Sequence, residues 1–167
     1  MIHGLPRGSR ARVFKRIVEQ LRTDPVLSTV IKRDSWGTWD GESADLMPDN
    51  QTICPYIKLA PQLGAVGWYS PDAQLGPLEI QVQVGIEGVD ALDCLDLWDA
   101  IERAVYPYDD RAKQLDFEQQ LRDLGAETGQ ITFSRPASIG GIESANVNLK
   151  FTCLGMMSIN IIRPFNP

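Results

Sequence analysis

The chain has 167 residues, which is long enough to bury a sizeable core within one domain. Hydrophobic residues make up 43% and charged residues 23%, so the composition argues against wholesale disorder. No apolar run approaches the roughly 20 residues of a membrane helix, and no apolar block follows the basic start as it would in a signal peptide. We therefore expect a single domain over residues 1–167, used in a reducing cytoplasm without membrane contact.

Charge is distributed unevenly along the chain, whose net charge is −6. Residues 1–33 hold eight of the 16 basic residues and two of the 22 acidic ones, a net charge of +6. The remaining residues hold the other eight basic and 20 acidic residues, a net charge of −12. Solvated surfaces explain most charge runs. The alternatives are nucleic-acid binding by the basic end, which the acidic remainder would oppose, and complementary ends that join copies of the same chain.

The first part of the chain has the pattern of two helices. Apolar residues at helical spacing predict a helix from about Arg10 to Thr23, after a flexible arm at residues 1–9. Asp24 followed by proline is typical of a helix start, with the aspartate as N-cap. This pair predicts a second, short helix whose buried side holds Val26, Leu27, Val30 and Ile31.

A long loop insertion is expected at residues 34–51, which are rich in Gly, Asp, Ser and Pro. A structureless stretch of this length is uncommon in a compact domain and is often functional or partner-bound. Trp36 and Trp39 are therefore either interface anchors or a lid folded onto the core. The sequence leaves both interpretations open.

Alternating hydrophobicity predicts the strands. Thr52–Leu59 indicates a strand that is bent or edge-placed by Pro55, and a short strand is expected to begin at Trp68. The clearest strand is Leu78–Ile86, where apolar residues alternate with polar ones. This alternation predicts an antiparallel sheet with one face in the core and the other solvated or partner-facing.

The second half returns to a helical pattern and then alternates again. After a helix from Asp90, a second helix is expected to end near Leu124 at Gly125. Apolar and polar residues alternate almost without interruption over residues 145–161, which is unusually long for a strand in a small domain. We therefore expect the strand either to bend near residues 154–155 or to extend and pair with a neighbouring chain. The predicted fold class is α+β, a central antiparallel sheet with helices packed mainly on one face. The stripe predicted to be buried on the Asp90 helix is Ala91, Cys94, Leu95, Trp98, Ile101 and Val105.

The sequence offers no catalytic constellation. His3 is the only histidine, which argues against a nucleophilic triad built on a core histidine. No phosphate-binding loop or nucleophile elbow occurs, and the three cysteines are too far apart for a paired zinc site, so we interpret them as buried structural thiols. Asp93 and Asp96 lie on a polar helix face, which we interpret as surface exposed to solvent. We expect no enzymatic activity, no cofactor and no metal.

The succession of elements carries a family resemblance. An amphipathic helix precedes a proline-containing strand at residues 53–59, and a turn with Trp68 leads to the alternating strand at residues 78–84. A helix with Leu97-Trp98-Asp99-Ala100-Ile101 then precedes the late strands. This order resembles the tail terminator (tail completion) proteins of long-tailed bacteriophages over residues 10–163. The long loop at residues 34–50 and the extra helix around Asp116 depart from the most compact members.

The resemblance implies a structural protein of the virion tail and neck, assembled in the host cytoplasm. Members of this family form a homohexameric ring that caps the finished tail tube and joins it to the head–tail connector. The implied partners are further copies of the chain, the tail tube protein and the connector protein, with DNA only passing through the lumen. Alternatives are another neck component, such as a stopper or adaptor, or a small nucleic-acid-binding protein using the Arg7–Arg22 segment.

Candidate interface residues follow from charge and aromatic content. A ring needs two different, complementary patches on each subunit, so we expect the basic N-terminal segment of one copy to meet the acidic surface of the next. Large aromatic residues of the kind enriched at interface hot spots complete the set. The predicted interface residues are Arg12, Lys15, Arg16, Trp36, Trp39, Trp68, Tyr69, Asp93 and Asp96.

Overall fold

The structure is a computed structural model that describes residues 8–38, 54–63, 67–88, 92–143 and 149–164. Its helices are α1 (Ser9–Thr23), α2 (Pro25–Val30), α3 (Leu92–Val105) and α4 (Arg111–Asp123), with a 3₁₀ turn at Arg33–Ser35. Its strands are β1 (Trp36–Thr38), β2 (Tyr56–Leu63), β3 (Gly67–Ser70), β4 (Ala73–Gly88), β5 (Thr132–Glu143) and β6 (Leu149–Pro164).

All of these strands belong to one sheet. Its order is β1-β2-β4-β6-β5, and β3 pairs with β4 beside this path. The β1–β2 pair is parallel, and the other pairs that the structure describes are antiparallel. The buried residues of the helices pack against one face of this sheet. The predicted α+β class, with a mainly antiparallel sheet and helices on one face, is therefore confirmed.

The two longest strands, β4 and β6, form the centre of the sheet. They pair over 16 residues without a register shift, from Ala73 opposite Pro164 to Gly88 opposite Leu149. On its other side β6 pairs with β5, and the register irregularity falls within β5. The long alternating segment thus finds both neighbours inside its own chain. Pairing with another copy was one of the two alternatives for this segment, and over residues 149–158 both edges of β6 are already occupied by β4 and β5.

Side-chain alternation separates a core face from an open face. The inward positions of β4 and β6 are buried under α1 and α3: Leu78, Ile80, Val82, Val84, Ile86, Cys153, Met157, Ile159 and Ile161. The open face is the opposite side of the sheet, where side chains are half-buried. Across its middle run Lys58, Gln83 and Leu154 in one row, and Ala60, Gln81 and Met156 in the next.

Trp98 packs α3 against the centre of the sheet. Its indole is 3% exposed and lies directly on Gly155, where a Cβ atom would collide with the ring. Gly155 is in turn the β6 partner of Val82, which is fully buried. The indole N–H donates to Glu102 Oε1 at 2.6 Å, and Phe133 meets the ring edge-on at 6.4 Å. The predicted burial of Trp98 is confirmed.

The start of α2 is confirmed more closely than its buried face. Asp24 caps α2, because its Oδ1 accepts hydrogen bonds from the backbone N–H groups of Val26 and Leu27 at 2.9 Å. The predicted buried side of α2 is only half right, however. Leu27 and Ile31 are buried, whereas Val26 is 53% and Val30 46% exposed. Residues four apart share a helix face and neighbours lie about 100° apart, so only one of the two pairs can face the core.

Two boundaries and the buried stripe of α3 also differ from the prediction. Helix α1 begins at Ser9, within the expected arm, whose residues 1–7 lie outside the described part of the chain. The expected loop at residues 34–51 opens instead with the 3₁₀ turn and β1, which adds a parallel edge to β2. On α3, Leu97 is buried and Leu95 is 37% exposed. Leu95 lies about 100° from Cys94 around the helix, beyond the buried stripe.

The three cysteines provide a test of the core. Cys94 and Cys153 are buried, whereas Cys54 is half-buried rather than buried as predicted. Burial, with the neighbouring Cys153 as a smaller cause, raises the pKa of the Cys94 thiol to about 11. At pH 8 roughly one such thiol in a thousand is ionised, and the thiolate is the reactive form.

We therefore expect iodoacetamide at pH 8 to alkylate Cys54 at least tenfold faster than Cys94 or Cys153 in the folded chain. Peptide mass spectrometry over time measures all three sites in one sample. The same reaction in 6 M guanidinium is the control, and there the three rates should converge. Equal rates in the folded chain would contradict the packing of α3 on the sheet.

Candidate functional site

The start of α1 lies over one end of the central strands. Gly125 ends the turn after α4 with φ +111°, and its missing side chain leaves room for Ser9. At the next residue, the Arg10 guanidinium lies against Gly76 of β4 and beside Arg163 of β6. We call Arg10, Arg12 and Arg163 the basic end of the domain.

Arg10 is the least satisfied group at the basic end. Its Nε and Nη2 are buried, and no described residue accepts a hydrogen bond from either. Desolvation and, second, the Arg163 guanidinium lower the pKa of Arg10 below its ordinary value. A carboxylate brought here from outside would meet the exposed guanidinium groups of Arg12 and Arg163, which can form charge-assisted hydrogen bonds, rather than the buried donors of Arg10.

The three predicted basic residues of α1 differ in their availability. Arg12 is exposed, and its side chain makes one hydrogen bond among the described residues, from Nη2 to Ser9 Oγ at 3.4 Å. Lys15 lies 4.0 Å from Glu19 in the same helix. Arg16 is occupied within the chain: Nε donates to Gln120 at 2.7 Å, Nη2 donates to Gln20 at 2.9 Å, and the guanidinium lies over the Phe117 ring. Of the three, Arg12 presents its charge most freely.

An apolar groove lies at the other end of the domain, between α2 and α3. It has a volume of about 350 Å³. The half-exposed side chains of Val26 and Val30 form one wall, and α3 forms the other. Pro55 and the end of β4 close the floor. The groove is lined by Val26, Leu27, Val30, Pro55, Ile86, Glu87, Asp93, Asp96, Leu97 and Ala100.

The rim of this α2–α3 groove is acidic. Glu87, Asp93 and Asp96 are exposed and contribute three negative charges, and no basic residue is among the lining residues. The structure therefore brings together Asp93 and Asp96, which the sequence analysis singled out. It adds an apolar surface beside them that the sequence analysis did not expect.

Strand β4 connects the two ends. Arg10 lies against Gly76 near its start, and Ile86 and Glu87 line the groove near its finish. The ten steps from Gly76 to Ile86 span about 33 Å at roughly 3.3 Å per residue. The basic end and the acidic groove are thus separate surfaces at opposite ends of the sheet.

No protein-family model and no curated protein sequence matches this chain. Within the described ranges, no helix is long and apolar enough to cross a membrane. The same residues include no cluster of three or more His, Cys, Asp or Glu side chains that could hold a metal ion.

The predicted aromatic anchors have different positions. Trp36 is 5% exposed in β1, with its Cα opposite Ile57 of β2, so in this structure it belongs to the core and not to a free surface. Trp39 lies outside the described residues. Trp68 and Tyr69 are strand residues of β3. The short strand expected to begin at Trp68 is therefore present, one residue earlier than expected.

Sequence reasoning missed several residues of both ends. Arg163 follows a long apolar strand and carries no local signal for its approach to Arg10. Val30 and Glu87 belong to separate elements, and only the fold brings them to one groove. One usable signal was the excess of apolar residues on α2, because a six-residue helix has two turns at most and cannot bury four large side chains on one side.

Proposed function

We propose that this chain forms a homohexameric ring that terminates the tail tube of a long-tailed bacteriophage and joins it to the head–tail connector. One observation carries the proposal: a single domain has a basic end and an acidic, apolar groove about 33 Å apart along β4. Unlike ends of this kind favour a head-to-tail contact, which generates rings when the rotation closes. The order of elements on which the family resemblance rests supports the same assignment.

The role is structural and needs no reacting group. Apolar burial in the groove would stabilise the subunit contact, because each exposed ion pair contributes only about 0–1 kcal/mol. Charge would instead orient the subunits during encounter. At physiological ionic strength the screening length is about 8 Å, so only close pairs survive. The open face of the sheet remains available for the tube, the connector or the passing DNA.

Native mass spectrometry and capture of tail tubes test this proposal together. We expect the purified chain to give a hexamer, and to co-sediment with tubes assembled from the tail tube protein of the same virus. Binding to DNA-filled heads without tubes would favour a stopper or adaptor. A monomer that binds duplex DNA with a steep salt dependence would favour the nucleic-acid-binding alternative.

Charge reversal at the basic end gives a sharper version of this test. We expect Arg12→Glu with Arg163→Glu to raise the concentration needed for half-assembly about tenfold, because about 1.4 kcal/mol is a factor of ten. Arg111→Glu with Lys113→Glu, on α4 outside both ends, makes the same charge change and is the control. Unchanged assembly of the basic-end variant, at an unchanged melting temperature, would contradict the head-to-tail contact.

A further inference from the structure

Among the residues that the structure describes, none fills the apolar groove between α2 and α3. The side chains of Val26 and Val30 are about half exposed to solvent, although they face a cleft that Leu97 and Ala100 also line. Burying such side chains contributes about 25 cal/mol per Å² of apolar area. A cleft of about 350 Å³ is at the small end of the range for ligand sites. It therefore suits one short stretch of chain.

The acidic rim selects the charge of the occupant. Glu87, Asp93 and Asp96 border the groove, so a segment with basic side chains next to apolar ones would match it. Residues 1–7 have this composition, with Ile2, Leu5 and Pro6 apolar, Arg7 basic and no acidic residue. Residues 39–53 also have apolar side chains, but they contain four acidic residues and no lysine or arginine. Like charges at the rim disfavour that segment.

Distance favours the arm of another copy. Leu5 is five residues from Arg10, a reach of at most about 18 Å in fully extended chain. The Arg10 guanidinium lies against Gly76, and Ile86 on the floor of the groove lies about 33 Å away along β4. That separation exceeds the reach of Leu5 even with the length of the arginine side chain added, so the arm of another subunit is the better match for the floor of the groove.

We propose that the α2–α3 groove binds the N-terminal arm, residues 1–7, of a neighbouring copy of this chain. Leu5 enters the apolar cleft between Val30 and Leu97, and Arg7 meets the acidic rim. This contact deepens the proposed function, since it names the surfaces that join one subunit to the next. It is heterologous, because each subunit gives its arm to one neighbour and receives the arm of another.

The arm contact also brings an acidic surface close to the basic end. The arm is continuous with α1, so seating it on a neighbour draws Arg10 and Arg12 toward that neighbour's acidic rim. The exposed guanidinium of Arg12 then has carboxylates within reach.

A peptide titration tests the groove directly. A fluorescent peptide of residues 1–8 is added to the full-length chain carrying Leu5→Asp, whose own arm should not compete, and fluorescence anisotropy is measured. We expect saturable binding that weakens at least tenfold in Val26→Gln/Val30→Gln or in Asp93→Lys/Asp96→Lys. Asp99→Lys/Asp109→Lys makes the same charge change outside the groove and should alter affinity less than twofold. Absence of saturable binding, or equal affinity in the groove variants, would overturn the proposal.

A crosslinking experiment tests whether the contact is between subunits. Light-isotope chains with Leu5→Cys are mixed with heavy-isotope chains with Val30→Cys and mildly oxidised. We expect a disulfide between positions 5 and 30 that joins one light and one heavy peptide, and none when Leu115→Cys on α4 replaces Val30→Cys. A crosslink to position 115 as strong as that to position 30, or none to position 30, would contradict the proposal.

These outcomes separate the two proposals. Normal rings and tube capture by Leu5→Asp would overturn the arm–groove contact and leave the tail-terminator role standing. Arm binding and the mixed-isotope crosslink without any tube capture would support the contact and count against the tail-terminator role.

Discussion

Replacing Trp98 with alanine is expected to lower the free energy of unfolding by about 3–5 kcal/mol, the range for large aromatic side chains removed from a core. The indole is 3% exposed, lies on Gly155 and meets Phe133 edge-on, so its loss leaves a cavity between α3 and the sheet. Urea unfolding followed by circular dichroism measures the change. The control is Tyr108→Ala, because Tyr108 is 62% exposed and should cost less than about 1 kcal/mol.

The contact with Gly155 allows a second, independent check. A side chain at position 155 would collide with the indole, so Gly155→Ala should also destabilise the wild-type chain. In the Trp98→Leu background the same substitution should cost less, because the colliding ring is gone, and the double variant should be more stable than the sum of the single changes predicts. Strict additivity would mean that the two residues are not in contact.

Replacing Trp36 with serine is expected to cost a similar amount, about 3–5 kcal/mol. Trp36 is 5% exposed and lies in β1, the edge strand that pairs in parallel with β2. The loss should appear in the isolated chain, under conditions where it does not assemble, as a lower midpoint in urea. Trp36→Phe keeps most of the apolar volume and is the matched control.

The Trp36 variants also decide between the two interpretations that the sequence left open. If Trp36 is a core residue, Trp36→Ser lowers stability in monomer and assembly alike. A variant that unfolds like the wild type but assembles poorly would instead restore the interface interpretation.

Hydrophobic periodicity predicted the central part of this fold because its signals are strong and local. The alternation in β4 and β6 assigned their faces correctly, and the Asp24-Pro25 pair marked the start of α2. Strand pairing was harder to predict from the sequence. Alternation shows which side chains share a face, but it does not name the neighbouring strand, so the full pairing of β6 with β4 and β5 was not foreseen.

The candidate site was predicted only in part, because it is made by tertiary structure. Asp93 and Asp96 were found from charge, but the apolar groove beside them joins α2, α3 and β4, which are distant in sequence. Arg16 has the same charge signal as Arg12, yet it is held by Gln120 and Gln20. Charge patterns identify which end of a chain is basic. They do not show which side chains are already engaged.

The geometry of β4 has a consequence for how this domain can change size. Inserting one residue between Gly76 and Ile86 would turn the glutamine-bearing positions of the strand toward the core, because side chains alternate with a period of two. Two residues would keep the faces, if β6 gained two as well. The spacing between the two ends can therefore grow or shrink only in steps of about 7 Å. The number of residues in β4 therefore sets the distance between the two ends. In chains with this fold, that number should differ by an even number of residues.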